Sequence, residues 1–170
     1  MTKNHAKIFK TTKDLTLVLA IISTIYAGWS ALGVIGFLFL RLISQSAIEM
    51  GELGPLIDEM LSSPTIHIVY FEAFFYLGFC IKMFANHRRL KRGELVAKIP
   101  YYLPLIVLLI NFIDVFIQGL SVTDIPEMIG YIMGSTFRLA FDGAIPVLAI
   151  LALVSLNKLY QRLSDQIEKE

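Results

Sequence analysis

Sulfur and imidazole chemistry are almost missing from this sequence. Its one cysteine, Cys80, lies in an apolar run and cannot form an internal disulfide. The three histidines, His5, His67 and His87, are widely separated, and no Cys/His spacing suits zinc. No metal and no cofactor is therefore expected. Gly-x-Ser-x-Gly, His-Glu-x-x-His, Cys-x-x-Cys and a phosphate-binding glycine loop do not occur. Their lack argues against an enzyme. No Asn-x-Ser/Thr acceptor is present. A net charge of +1 supplies no electrostatic basis for binding nucleic acid.

Charge is scarce as well. Only 17% of residues are charged, 56% are hydrophobic, and the mean hydropathy is +0.67. A soluble domain carries about a quarter charged residues. Distribution decides the class: Leu15–Leu40 holds no charged residue over 26 positions. As a helix that run is about 39 Å long, against a hydrocarbon core of about 30 Å. It is too long for the apolar part of a signal peptide and reads as a retained membrane helix. Further runs place spans at about 15–42, 66–86, 99–120 and 128–157. The expectation is an all-α membrane protein, a four-helix bundle forming a single domain over 1–170.

The segments between spans differ in sign. The 43–65 segment has Glu49, Glu52, Asp58 and Glu59 and no Lys or Arg. Leu53, Leu56, Ile57, Met60 and Leu61 follow helical spacing there, predicting a short amphipathic helix on the outer membrane face, with Pro55 early in it. The 121–128 link carries only Asp124 and Glu127. The start of the chain has Lys3, Lys7, Lys10 and Lys13, and the 87–98 loop has His87, Arg88, Arg89, Lys91, Arg92 and Lys98 beside a single acid, Glu94. The positive-inside rule then puts both termini in the cytoplasm, in a bacterial inner membrane. The 87–92 cluster can also touch anionic lipid headgroups. In the first span, Ala20, Thr24 and Gly28 recur every four residues, as do Ser23, Ala27 and Ala31, which suits close helix packing. Trp29 lies too deep for an interfacial belt and is expected to fill space between helices.

Polar residues inside the spans mark the candidate site. Arg138 and Asp142 are one turn apart and can pair along the last helix. Pro146 has no N–H to give the Asp142 carbonyl, its i−4 partner. Asn111, Asp114 and Gln118 share one face of the third span. Counting from the span ends puts Glu72 and Asp114 about 9 Å, and Asp142 about 7 Å, below the outer surface. One cluster of Glu72, Asp114 and Asp142 around Arg138 is expected. With three acids to one arginine, one acid keeps its proton or a cation enters. Two functions follow. In the first, the polar core holds together a small accessory or interaction protein, whose partners are the lipid bilayer and another membrane protein or a second copy. In the second, the cluster serves a proton- or cation-coupled transporter or channel subunit. A membrane-embedded enzyme using Asp114 and Asp142 ranks third.

Overall fold

The computed structural model describes residues 3–47, 61–62, 65–122 and 125–167. Within its helices, the side chains of 3–5, 44–47, 65, 121, 125–127, 137–138, 140–142 and 165–167 lie outside the description. Most of the described residues are helical, with no strand among them. They form α1 (Lys3–Ala47), α2 (Thr65–Lys91), a 3-10 turn (Ile99–Tyr102), α3 (Leu103–Ser121) and α4 (Ile125–Ile167). Among the described residues, four stretches are long and apolar enough to cross a membrane: Ala6–Ile43, Ile66–Lys91, Ile99–Leu120 and Gly143–Ser164.

Two boundaries differ from expectation for one reason. The first helix begins at Lys3 rather than after a polar tail, and the second runs to Lys91, through residues assigned to a loop. Lysine, arginine and alanine are good helix formers, so a helix continues where hydropathy stops. At 45 residues α1 is about 68 Å long, well beyond the hydrocarbon thickness. Most of the predicted amphipathic helix, residues 48–60, lies outside the described residues.

The chain divides into two compact units. One comprises Ala20–Lys82, the apolar stretch of α1 and most of α2. Here Ala20, Ser23, Ala27 and Ser30 form the buried face of α1, with helical spacing. Tyr26 meets Tyr76 with ring centroids 5.3 Å apart. Phe75 stacks on Phe71 and Phe79 at 6.1 and 5.7 Å along α2. Trp29 does not fill a gap between helices: it is 77% exposed, on a face with Ile25 and Leu32. A span that is apolar all round does not reveal which side faces inward, and Trp29 falls outside the Ser23–Ala27–Ser30 stripe.

The other unit comprises Met1–Leu19 and Met83–Glu170. It gathers the basic segments: the start of α1, the end of α2, the link to α3 and the end of α4. The end of α2 is capped by backbone geometry. Gly93 takes φ 82°, Glu94 N–H donates to the Arg89 carbonyl at 3.0 Å, and Gly93 N–H donates to the Leu90 carbonyl at 3.0 Å. This is the Schellman pattern, which usually carries an apolar contact between its outer residues. Here an ion pair replaces it: Arg89 Nε lies 3.0 Å from Glu94, and Arg92 Nε lies 2.8 Å from its other oxygen. The Arg89 hydrogen bond holds the Glu94 carboxyl below its ordinary value of 4.5.

An added Cβ at Gly93 meets nothing within 4 Å, so only the left-handed backbone opposes it. Gly93→Ala should lower thermal stability by about 1–2 kcal/mol. Glu94→Gln should cost less. Because the folded carboxyl is the stronger acid, its contribution is present above the unfolded value and is lost as pH falls through the folded one. The gap between wild type and Glu94→Gln in melts should therefore close in acid. A pH-independent gap would show that the ion pair does not stabilise the cap.

Candidate functional site

The expected carboxylate cluster distributes as follows. Asp114 and Gln118 are brought together on α3, Gln118 Nε2 donating to Asp114 Oδ1 at 2.8 Å. Asn111, one turn earlier, is 1% exposed. Glu72 is half-buried on α2, in the unit formed by Ala20–Lys82, whereas Asp114 belongs to the other unit. Arg138 and Asp142 lie on the continuous helix α4, but their side chains lie outside the described residues. Pro146 is inside α4 and buried. Among the described residues, no group of His, Cys, Asp and Glu could hold a metal ion.

A different polar centre is fully described, in the unit with the basic segments. Thr12, Thr16, Asn86 and Tyr101 are 2% exposed or less, and Ser155 is 8% exposed. Thr12 and Thr16 lie one turn apart on α1, so both hydroxyls face the same way. Thr12 Oγ1 donates to the Ile8 carbonyl at 3.0 Å, and Thr16 Oγ1 donates to the Thr12 carbonyl at 2.8 Å. Each threonine proton thus goes to its own helix. The cross-helix bonds then have fixed directions, because a hydroxyl has one proton. Ser155 Oγ donates to Thr12 Oγ1 at 2.7 Å, tying α4 to α1. Tyr101 Oη donates to Thr16 Oγ1 at 3.0 Å, tying the 3-10 turn to α1. That leaves the Tyr101 oxygen as an acceptor towards the Asn86 side chain. Asn86 Nδ2, buried, completes no full hydrogen bond and is the point where the network ends.

The same level carries three further ties. His87 Nδ1 lies 3.2 Å from the Lys13 carbonyl, so this nitrogen is the donor. Tyr160 Oη donates to the Val96 carbonyl at 3.2 Å. Lys98 Nζ sits 4.6 Å from the centroid of the Tyr160 ring. Within the predicted headgroup cluster, Arg89 and Arg92 are paired with Glu94, and Arg88 and Lys91 are exposed. At the other end of α3, Gly119 admits the Tyr131 ring: a Cβ there would stand 3.1 Å from Tyr131 Cε1. Tyr131 Oη donates to the Val115 carbonyl across this contact.

Chemically, the described centre is neutral and builds bonds between segments. It has no charged nucleophile or metal-ligating set, and its hydroxyls are committed to one another. The sequence signal for it was the Thr12/Thr16 spacing. Hydroxyls flanked by lysines gave no sign of partners 85 and 143 residues away. No protein-family model matches the chain, and no curated protein or solved structure does so either.

Proposed function

We propose that this chain is a small, non-catalytic integral membrane protein of the accessory or interaction type. It sits as one four-span domain in a bacterial inner membrane, N-in and C-in, with another membrane protein or a second copy as partner. The supporting observation is the Thr12–Ser155 and Thr16–Tyr101 pair of cross-segment bonds, in which buried polar groups hold helices together. The Asp114–Gln118 bond fits the same use of polarity. In this proposal Glu72, Asp114, Asp142 and Arg138 serve the same structural end.

The second proposal, coupled transport of protons or cations, draws on Pro146. This residue takes the N–H from the Asp142 carbonyl and leaves that oxygen to be satisfied by water, a side chain or an ion. Reconstitution separates the two. The purified chain in liposomes should give no proton or cation flux above empty vesicles. A photo-cross-linking residue at Trp29 should yield a discrete protein adduct in native membranes. Flux by the chain alone, abolished by Asp114→Asn or Asp142→Asn in folded protein, would overturn the accessory role in favour of transport.

A further inference from the structure

The buried hydroxyls and the Asn86 amide lie at one level of the unit with the basic segments. Thr12 and Thr16 mark that level on α1, Asn86 on α2, Tyr101 on the 3-10 turn and Ser155 on α4. To one side of it lie apolar runs. Charge is absent from α1 after Asp14, from α3 as far as Asp114, and from α4 between Gly143 and Asn157. The 19 residues of α3 are about 28 Å long, close to the hydrocarbon thickness. Its start, beside Tyr101, therefore falls at one edge of the hydrocarbon, and the polar layer falls there with it.

The second observation is which charges stand on the other side of the layer. Lys7 and Lys10 lie five and two residues from Thr12, and Arg88 and Lys91 lie two and five from Asn86. Lys158 and Arg162 lie three and seven from Ser155. At about 1.5 Å per residue, these cations spread across the headgroup region beyond the layer. Each helix carries its two cations one turn apart, on one face. All six are exposed, and none forms an ion pair with a described acid. Glu94 is already taken by Arg89 and Arg92. Lys98 is turned onto the Tyr160 ring.

We propose that these six cations form one surface for the headgroups of anionic phospholipids, at the membrane edge that the polar layer marks. Charge sign selects anionic over zwitterionic lipid. The Thr12–Ser155 bond and the Thr16–Tyr101–Asn86 contacts hold the three helix ends at a common level, so the surface belongs to the folded unit. It is not the contiguous 87–92 cluster: Arg89 and Arg92 are spent on Glu94, while α1 and α4 each add a pair. This rests on the spanning of a membrane by α3 and is independent of the accessory role.

Fluorescence quenching tests it. Trp29 is the chain's only tryptophan, so Trp29→Phe gives a silent background. In that background Leu103→Trp reports from the cation end of α3 and Leu120→Trp from its other end, both at exposed positions. Bilayers with brominated phosphatidylglycerol or brominated phosphatidylcholine serve as quenchers. The Leu103→Trp reporter should favour the anionic lipid about fivefold, and Leu120→Trp should show no such preference. Equal ratios at the two ends would overturn the surface and leave the cations to an acidic protein segment. Arg88→Gln with Lys91→Gln, and separately Lys158→Gln with Arg162→Gln, should each lower the Leu103→Trp ratio about twofold. A ratio that only the α2 pair alters would overturn the multi-helix surface in favour of a local cluster. Salt supplies a reading without these charge substitutions. In about 1 M salt, where the Debye length is about 3 Å, the preference at Leu103→Trp should disappear. A preference that survives such salt would overturn its electrostatic origin.

Discussion

Tyr101→Ala is expected to destabilise the unit that carries the basic segments by about 3–5 kcal/mol, the cost of removing a large side chain from a packed interior. Tyr101 is wholly buried, and among the described residues it is the largest side chain so enclosed. Its ring fills the space beside the start of α1, and its hydroxyl donates to Thr16 across 85 residues of sequence. Tyr101→Phe isolates the hydroxyl. It keeps the ring but leaves Thr16 Oγ1 without its cross-segment donor and the Asn86 amide without a neighbouring acceptor. About 1–3 kcal/mol should be lost, the penalty for stranding a buried polar group. Thr16→Val alone should cost a similar amount, but Tyr101→Phe with Thr16→Val should cost less than the sum, because both partners are then apolar. Unfolding by denaturing detergent in mixed micelles measures all four proteins. Strict additivity would show that the 3.0 Å bond carries no coupling. A cost below about 1 kcal/mol for Tyr101→Ala would show that the ring does not support the fold.

The apolar runs were legible because a stretch such as Leu15–Leu40 has only one low-cost environment, and length converts directly into membrane thickness. Helix ends were less so. Hydropathy marks where lipid stops, whereas α1 and α2 extend to Lys3 and Lys91 because lysine and arginine prolong helices. The Gly93 cap carried a local signal, a glycine just past a basic last turn. What it did not disclose was that Glu94 would pair with Arg89 and replace the customary apolar contact. The Asp114–Gln118 bond was implied by i, i+4 spacing on one helix. By contrast, the Thr12–Ser155 and Thr16–Tyr101 bonds link distant residues that are unremarkable in their own neighbourhoods. Local pattern cannot choose among the chain's many hydroxyls, and only packing does. Trp29 failed for a related reason, since amphipathic bias is weak in a helix whose every face is apolar.

Pro146→Ala is expected to stabilise α4, and the net gain can be argued from two opposing terms. A proline inside a helix costs about 3 kcal/mol relative to alanine, through the missing N–H and the clash with the preceding turn. Substitution restores a donor to the Asp142 carbonyl, and both positions lie on the continuous helix. Against this, Pro146 is buried, and alanine lacks two of its methylenes, at about 0.8 kcal/mol each. The helix term is the larger, so the variant should gain on the order of 1 kcal/mol. Flux and partner capture, read beside the stability change, carry the functional information. If polar residues near Asp142 only hold helices together, Pro146→Ala should be more stable and keep its cross-linked partner at Trp29. If the free carbonyl is instead part of an ion path, the variant should gain stability and lose flux, as happens when a strained site is relieved. Both outcomes require the stability increase, read as a raised midpoint in detergent unfolding. A loss of stability would mean that the Pro146 ring fits α4 too well for alanine to replace, with packing outweighing the restored backbone bond.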